Sequence, residues 1–147
     1  GTRCNCIRCR EVRGSQVQGA ALTLNDLVYQ TTISEEHFLS YDTADDHLAG
    51  FLRLSLPKVN NPLELDDLEG AAIIREVHVY GQSLEVGAEQ LGAAQHAGLG
   101  KNLIQKAEDI ARAQGYTNLA VIAAVGTREY YAMRGFERGE LYMVKTL

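Results

Sequence analysis

No run in this sequence approaches the ~18 consecutive apolar residues that cross a bilayer, and the N-terminus lacks the apolar core that directs secretion. These two absences lead to the expectation of a cytoplasmic protein with no membrane contact. Basic residues are in deficit: 14 Lys and Arg stand against 19 Asp and Glu, for a net charge of −5. That balance excludes attraction to nucleic acid by overall charge alone. The cysteine count of three is odd, so no closed disulfide set can be made from it. Internal repeats and low-complexity segments are absent. So is the dinucleotide fingerprint G-x-G-x-x-G with its acidic ribose clamp. The G-K-[ST] of an NTPase phosphate loop is also missing, because Asn102 follows Lys101.

What is present suits one compact domain. At 147 residues, 46% hydrophobic and 22% charged, the chain can bury a substantial core. Gly1 in place of methionine, followed by a dense Arg/Cys segment, leads to the expectation of a chain cut from something longer or left by tag removal. Residues 1–13 read as a linker carrying Arg3, Arg8, Arg10 and Arg13, a basic end able to touch phosphate, and residues 14–147 read as the domain. Acidic residues gather instead at Glu35-Glu36, Asp42 to Asp46 and Glu64 to Glu69, where solvated loop faces are expected.

Alternation and turn residues predict strands at Leu22–Ile33 and His37–Tyr41, paired as a hairpin across a Ser/Glu turn, with His37 and His47 as surface residues in turns. A third strand spans Leu48–Leu56 and stops at Pro57, and a fourth begins at Ala71. Helical spacing of Leu103, Ile104, Ala107, Ile110 and Ala111 predicts a helix over Leu103–Ala113 that Gly115 ends. The continuous apolar run Asn118–Val125 predicts a central strand buried on both faces. Thr127 is expected to cap a helix through Arg134, Gly135 to end it, and Leu141–Leu147 to form a last strand. This is an α/β layer architecture.

The segment Gln95-His96-Ala97-Gly98-Leu99-Gly100-Lys101 stands between the fourth strand and that helix. Two glycines there allow close backbone approach, and a helix start offers unpaired N–H groups with the positive end of its dipole. The segment therefore reads as a pyrophosphate cradle. Glu76 and His78 alternate on one strand face, in reach of polarising a water or an amine. A salt bridge for Glu76 and a satisfied core hydrogen bond for His78 are the competing readings. Cys4, Cys6 and Cys9 fall within six positions, and zinc and free thiols both stand as readings, because a tetrahedral site needs a fourth ligand from a His, a water or a residue outside the sequence.

Gln95-x-x-Gly98-x-Gly100 followed by Tyr131-x-x-x-Gly135-Phe136, in this order and on these elements, resembles the Gcn5-related N-acetyltransferase superfamily. Arg10-Glu11-Val12, Phe38-Leu39-Ser40-Tyr41, Arg75 to Gly81, Val125-Gly126-Thr127-Arg128-x-Tyr130-Tyr131 and Tyr142-Met143-Val144-Lys145 resemble, within it, the acetyltransferase-like C-terminal domain of the Elongator protein 3 family. The resemblance implies a mixed, mostly antiparallel sheet flanked by helices, with strands four and five splayed around acetyl-coenzyme A. Glu76, Val77, His78 and Val79 would line the pantetheine and thioester, and Ala94, Gln95, His96, Gly98, Gly100 and Lys101 would hold the pyrophosphate. The insertion Gly81 to Ala94 is placed to fold over the cofactor entrance.

By the same resemblance Tyr131 is the candidate general acid for a departing thiolate, with Tyr130 as packing or a supporting contact. The family implies carboxymethyl-type modification of wobble uridine (U34) in tRNA. Its partners would be tRNA, the radical S-adenosylmethionine domain with its [4Fe–4S] cluster, and other Elongator subunits. The cluster-binding cysteine motif is not in this sequence, and Cys4-x-Cys6-x-x-Cys9 has different spacing. Two rivals stay open. A protein lysine N-acetyltransferase would show an amine-binding cleft with a base near the thioester. A non-catalytic acetyl-CoA-sensing module would bind without turnover.

Overall fold

The computed structural model describes residues 1–2, 4–12, 22–61, 63–80 and 93–147, with backbone alone for 93–97. Among the described residues, three α-helices, α1 (Ile7–Arg10), α2 (Ala93–Ala113) and α3 (Arg128–Ala132), accompany seven strands. These are β1 (Thr23–Gln30), β2 (Ser34–Asp42), β3 (Leu48–Pro57), β4 (Ala71–Val79), β5 (Asn118–Val121), β6 (Glu137–Arg138) and β7 (Met143–Thr146). The sheet order is β1-β2-β3-β4-β5-β7-β6. Among these strands only β4 and β5 pair in parallel, and a parallel pair needs a crossover, which α2 supplies. No helix among the described residues is long and apolar enough to cross a membrane.

One face of the sheet carries the main core. Leu39, Leu52, Leu54, Leu56, Ala72, Ile74, Leu119 and Val121 meet Leu103, Ile104, Ala107 and Ala111 of α2, together with Tyr131, Phe136 and Met143. Each fully buried Leu or Ile contributes about 1.5–3 kcal/mol. The opposite face has a smaller cluster of Leu68, Ala71 and Ala120. Gly115 and Gly135 both take φ +87 just past α2 and α3, the left-handed stop expected of them.

Several boundaries differ from the sequence reading. The first turn lies at residues 31–33 rather than at Ser34 to Glu36, since the Glu36 carboxylate is buried and accepts from Ser34 (2.9 Å) and Ser55 (3.0 Å). That pairing extends β2 and carries His37 into it. His37 is therefore no turn residue; it is buried, with Nδ1 2.9 Å from Asp26 and Nε2 3.1 Å from Glu35. His47 keeps its place after the turn and pairs with Asp45 at 3.0 Å. α2 starts ten residues before Leu103. β5 ends at Val121 instead of Val125, leaving Ile122 63% and Val125 77% exposed. Thr127 does not cap α3, because its hydroxyl donates to the Ala124 carbonyl at 2.9 Å. α3 ends at Ala132 instead of Arg134, and β7 is shorter at both ends. Residues 1–13 hold α1, and past it Val12 N–H donates to the Leu48 carbonyl at 2.9 Å.

The β6–β7 loop is pinned by one carboxylate. Asp67, in a 3-10 turn at Asp66–Leu68, accepts the backbone N–H groups of Glu140 (3.1 Å), Leu141 (2.8 Å) and Tyr142 (3.0 Å). A Cβ on Gly139 would fall on that carboxylate. The Tyr142 N–H first, then those of Leu141 and Glu140, hold the Asp67 carboxyl below its ordinary range. A depressed carboxyl contributes stability above its unfolded pKa of about 3.9 and loses it as pH falls through the native value. Asp67→Ala should therefore cost roughly 1 kcal/mol at pH 7, discounted for solvent screening, and progressively less below pH ~4. Denaturant titrations of both proteins at the two pH values check this, and an equal cost at both would rule the charge out as the cause.

Candidate active site

β4 changes partners along its length. Its parallel pairing with β5 runs from Ala71↔Asn118 to Ile74↔Val121 and stops there. At that point the β3–β4 register shifts, with Arg53↔Glu76 followed by Leu54↔Ile74, so Arg75 is an extra residue on β4. Such a bulge bends and twists its strand. Beyond it, among the described residues, Glu76 to Val79 pair with β3 alone, and the other edge of β4 has no partner strand where β5 would continue. The splayed arrangement expected for strands four and five is thus present, with exposed Ile122 following β5. Unpaired strand amides are obligatory hydrogen-bonding groups, and an extended amide-bearing ligand suits them.

The bulge also sorts the site residues between the two faces. Val77 packs on the main core, and Val79 Cγ2 lies 3.6 Å from where a Cβ on Gly100 would stand. Glu76 and His78 point to the other face. Both oxygens of the Glu76 carboxylate have a partner, Oε1 2.9 Å from His78 Nε2 and Oε2 3.5 Å from Arg53. The salt-bridge reading of Glu76 is borne out in that sense. His78 is half exposed (53%) rather than buried in a core. Its ring stacks on Phe51 (5.4 Å, 25°) and Tyr80 (6.2 Å, 18°). Burial first, then the charges of Glu11 and Glu76, push the Tyr80 phenol up.

On the α2 side, Tyr131 is 8% exposed and sits edge-on to Tyr130 (5.2 Å, 88°) and Phe136 (5.6 Å, 72°). Its hydroxyl has no hydrogen-bond partner among the described residues. Burial chiefly, and Tyr130 next, push its phenol up against the opposing effect of Arg134. The Tyr130 ring lies under the Arg134 guanidinium, 3.4 Å from its carbon to the centroid, and burial raises this phenol too. The Tyr130 hydroxyl rests against Gly100, where a Cβ would collide with it.

The glycine segment is not a turn ahead of a helix. Ala94, Gln95, His96, Gly98, Gly100 and Lys101 all lie within α2, so the unpaired N–H groups belong to its first turn at residues 93–96 and not to the glycines. Gly98 faces open space, with nothing within 4 Å of an added Cβ, and Lys101 is exposed. A slot with free strand amides, an open glycine and a helix start fits acetyl-coenzyme A. The side chains of Ala94, Gln95 and His96 lie outside the described residues, as does the insertion up to residue 92.

At the N-terminus the Cys4, Cys6 and Cys9 sulfurs all lie within 4.8 Å of one another. A tetrahedral zinc with Zn–S ~2.3 Å places sulfurs ~3.8 Å apart, so the three fit such an ion. The Cys6 thiol is lowered first by the Cys9 backbone N–H, whereas Cys9 is pushed up to about 11, first by its bond to Cys6. Arg10 does not reach outward for phosphate, because its guanidinium pairs with Asp42 (3.0 Å) and Asp46 (2.6 Å). Arg8 also has a partner, and Arg3 and Arg13 lie outside the described residues. Arg53 is the site residue that sequence reasoning missed. Its alternation in β3 gave no sign that it would meet Glu76 across the sheet.

Residues 15–136 match the model of the acetyltransferase (GNAT) family. The tRNA uridine(34) acetyltransferase of Dehalococcoides mccartyi is 42% identical across 99% of this chain and 33% of its own. The Elongator complex protein 3 of Danio rerio is 39% identical across 100% of this chain and 28% of its own. Among solved structures, the archaeal Methanocaldococcus infernus Elp3 with an N-terminal deletion superposes with a TM-score of 0.79 at 32% identity. That match covers 99% of this chain and 36% of the other. The chain thus spans about a third of the length of the relatives it matches.

Proposed function

Because this chain belongs to the acetyltransferase (GNAT) family and is homologous to Elongator complex protein 3, we propose that it binds acetyl-coenzyme A and cleaves its thioester with water. It would do so as one domain of a larger enzyme that carboxymethylates U34 of tRNA. The radical S-adenosylmethionine chemistry and its iron–sulfur cluster would belong to the part of such an enzyme that this chain does not span. The observation that carries the reading is the edge of β4 beyond its pairing with β5, with a buried phenol that no described residue bonds on one side of the sheet and a Glu76–His78 pair on the other.

Bound acetyl-coenzyme A supplies the thioester. The amides of Glu76 to Val79 that do not bond β3 hold the pantetheine arm, and the first turn of α2 with Lys101 receives the pyrophosphate. The Glu76–His78 pair draws a proton from water as the water oxygen attacks the carbonyl carbon, and Tyr131 gives its proton to the departing sulfur. The products are acetate and free coenzyme A, and solvent restores the phenol. Acid and base on opposite faces suit attack from one side and departure on the other. The test is release of coenzyme A and acetate by the full-length protein, with and without tRNA. Acetylated lysine in place of acetate would favour the amine-acetylating rival, and binding without release would favour the sensing module.

We also propose that Cys4, Cys6 and Cys9 hold zinc, whose charge would favour the thiolate form that ligation requires. Elemental analysis should find about one zinc per chain. No zinc, with three thiols freely alkylated under native conditions, overturns this.

A further inference from the structure

The proposed water activation leaves open which member of the Glu76–His78 pair touches the water, and the geometry decides it. Glu76 Oε1 lies 2.9 Å from His78 Nε2 and Oε2 3.5 Å from Arg53, so each carboxylate oxygen already faces a cationic or N–H partner. An ionised carboxylate only accepts hydrogen bonds, so His78 Nε2 must carry the proton. In the neutral ring Nδ1 is then the acceptor. Nδ1 has no partner among the described residues, and the side chain is 53% exposed. Phe51, itself 1% exposed, and Tyr80 flank the ring and restrict its rotation.

Resting on the reading above, we propose that His78 Nδ1 is the general base and that Glu76 and Arg53 are positioning residues. Glu76 sets the tautomer of His78, and Arg53 sets the carboxylate of Glu76. His78 Nδ1 takes one proton from water, whose oxygen forms the new bond to the acetyl carbon as the carbon–sulfur bond breaks. The imidazolium then returns that proton to solvent. No oxidant or further reactant is needed. Arg53 lies on β3 and comes to this group only through the Arg53↔Glu76 register beside the bulge.

The experiment uses the full-length protein with tRNA, following coenzyme A release in four variants, with histidine-selective 15N spectra as a readout independent of turnover. His78→Gln should lose ~100- to ~10,000-fold in kcat. Glu76→Gln should lose at least ~10-fold, the lower end of the scale for partners that orient a histidine, and no more than His78→Gln. Arg53→Met should lower kcat by about tenfold at unchanged KM for acetyl-coenzyme A, on that same scale, and Arg53→Lys should recover part of it. The spectra should show His78 protonated at Nε2 and should change in Glu76→Gln. A larger loss in Glu76→Gln than in His78→Gln would make the glutamate the base and overturn the assignment. Arg53→Met that loses stability but keeps kcat would make Arg53 structural only. Absence of coenzyme A release by the unaltered protein sinks the thioester reading itself, and in that case an Nδ1-protonated His78 would sink the positioning scheme as well.

Discussion

Tyr131→Phe should fold normally, bind acetyl-coenzyme A nearly as well as the parent, and cleave the thioester ~100- to ~10,000-fold more slowly, about 3–5 kcal/mol of barrier. The replacement keeps the ring that Tyr130 and Phe136 hold edge-on. It removes a hydroxyl that no described residue binds. Burial raises the Tyr131 phenol above the ordinary ~10. The proton needed by the leaving sulfur is therefore in place throughout the neutral range and is lost only at higher pH than for a free tyrosine. Tyr130→Phe is the control, since its hydroxyl rests on Gly100. Single-turnover cleavage by the full-length protein with tRNA measures the effect. An unchanged rate in Tyr131→Phe, or impairment of Tyr130→Phe alone, would transfer the acid role elsewhere.

Gly98→Leu should move stability and binding in opposite directions. Gly98 is inside α2, where glycine costs nearly 1 kcal/mol relative to a good helix former, and its missing Cβ faces open space. Leucine should therefore stabilise the fold by roughly 0.5–1 kcal/mol. If the open side is where the pyrophosphate approaches, the same side chain stands in its way, and affinity for acetyl-coenzyme A should fall at least tenfold, ~1.4 kcal/mol. Gly100 cannot make this separation, because any Cβ there collides with Tyr130. Calorimetric titration beside thermal melts settles the matter, and a stabilised variant of unchanged affinity would remove Gly98 from the cradle.

Much of the fold could be read from pattern. β3 and β4 announce themselves by alternation and by Pro57, and Gly115 and Gly135 stop their helices where their freedom to take positive φ implies. The failures share a cause in tertiary context. Asn118–Val125 reads as one buried strand because apolar residues continue past Val121, yet the pairing with β4 stops there, and among the described residues Ile122 has no partner strand. Gln95 to Lys101 reads as a turn because of its glycines, although helix runs through them and Gly100 serves the approach of Tyr130. His37 reads as a turn residue because serine and glutamates precede it. Only the folded sheet shows Asp26 from the neighbouring strand and Glu35 closing on its two nitrogens. At the site, Glu76, His78 and Tyr131 were visible through their motifs, whereas Arg53 depends on a register that no local pattern encodes.

The extra residue at Arg75 makes this site a matter of counting as much as of chemistry. Side chains on a strand alternate, so every position beyond the bulge takes its side of the sheet from whether an odd or an even number of residues precedes it. Remove one residue there and the same Glu76 and His78 would turn beneath α2, while Val77 and Val79 would face outward. Substitutions along this stretch alter one group at a time; a change of length inverts them all together.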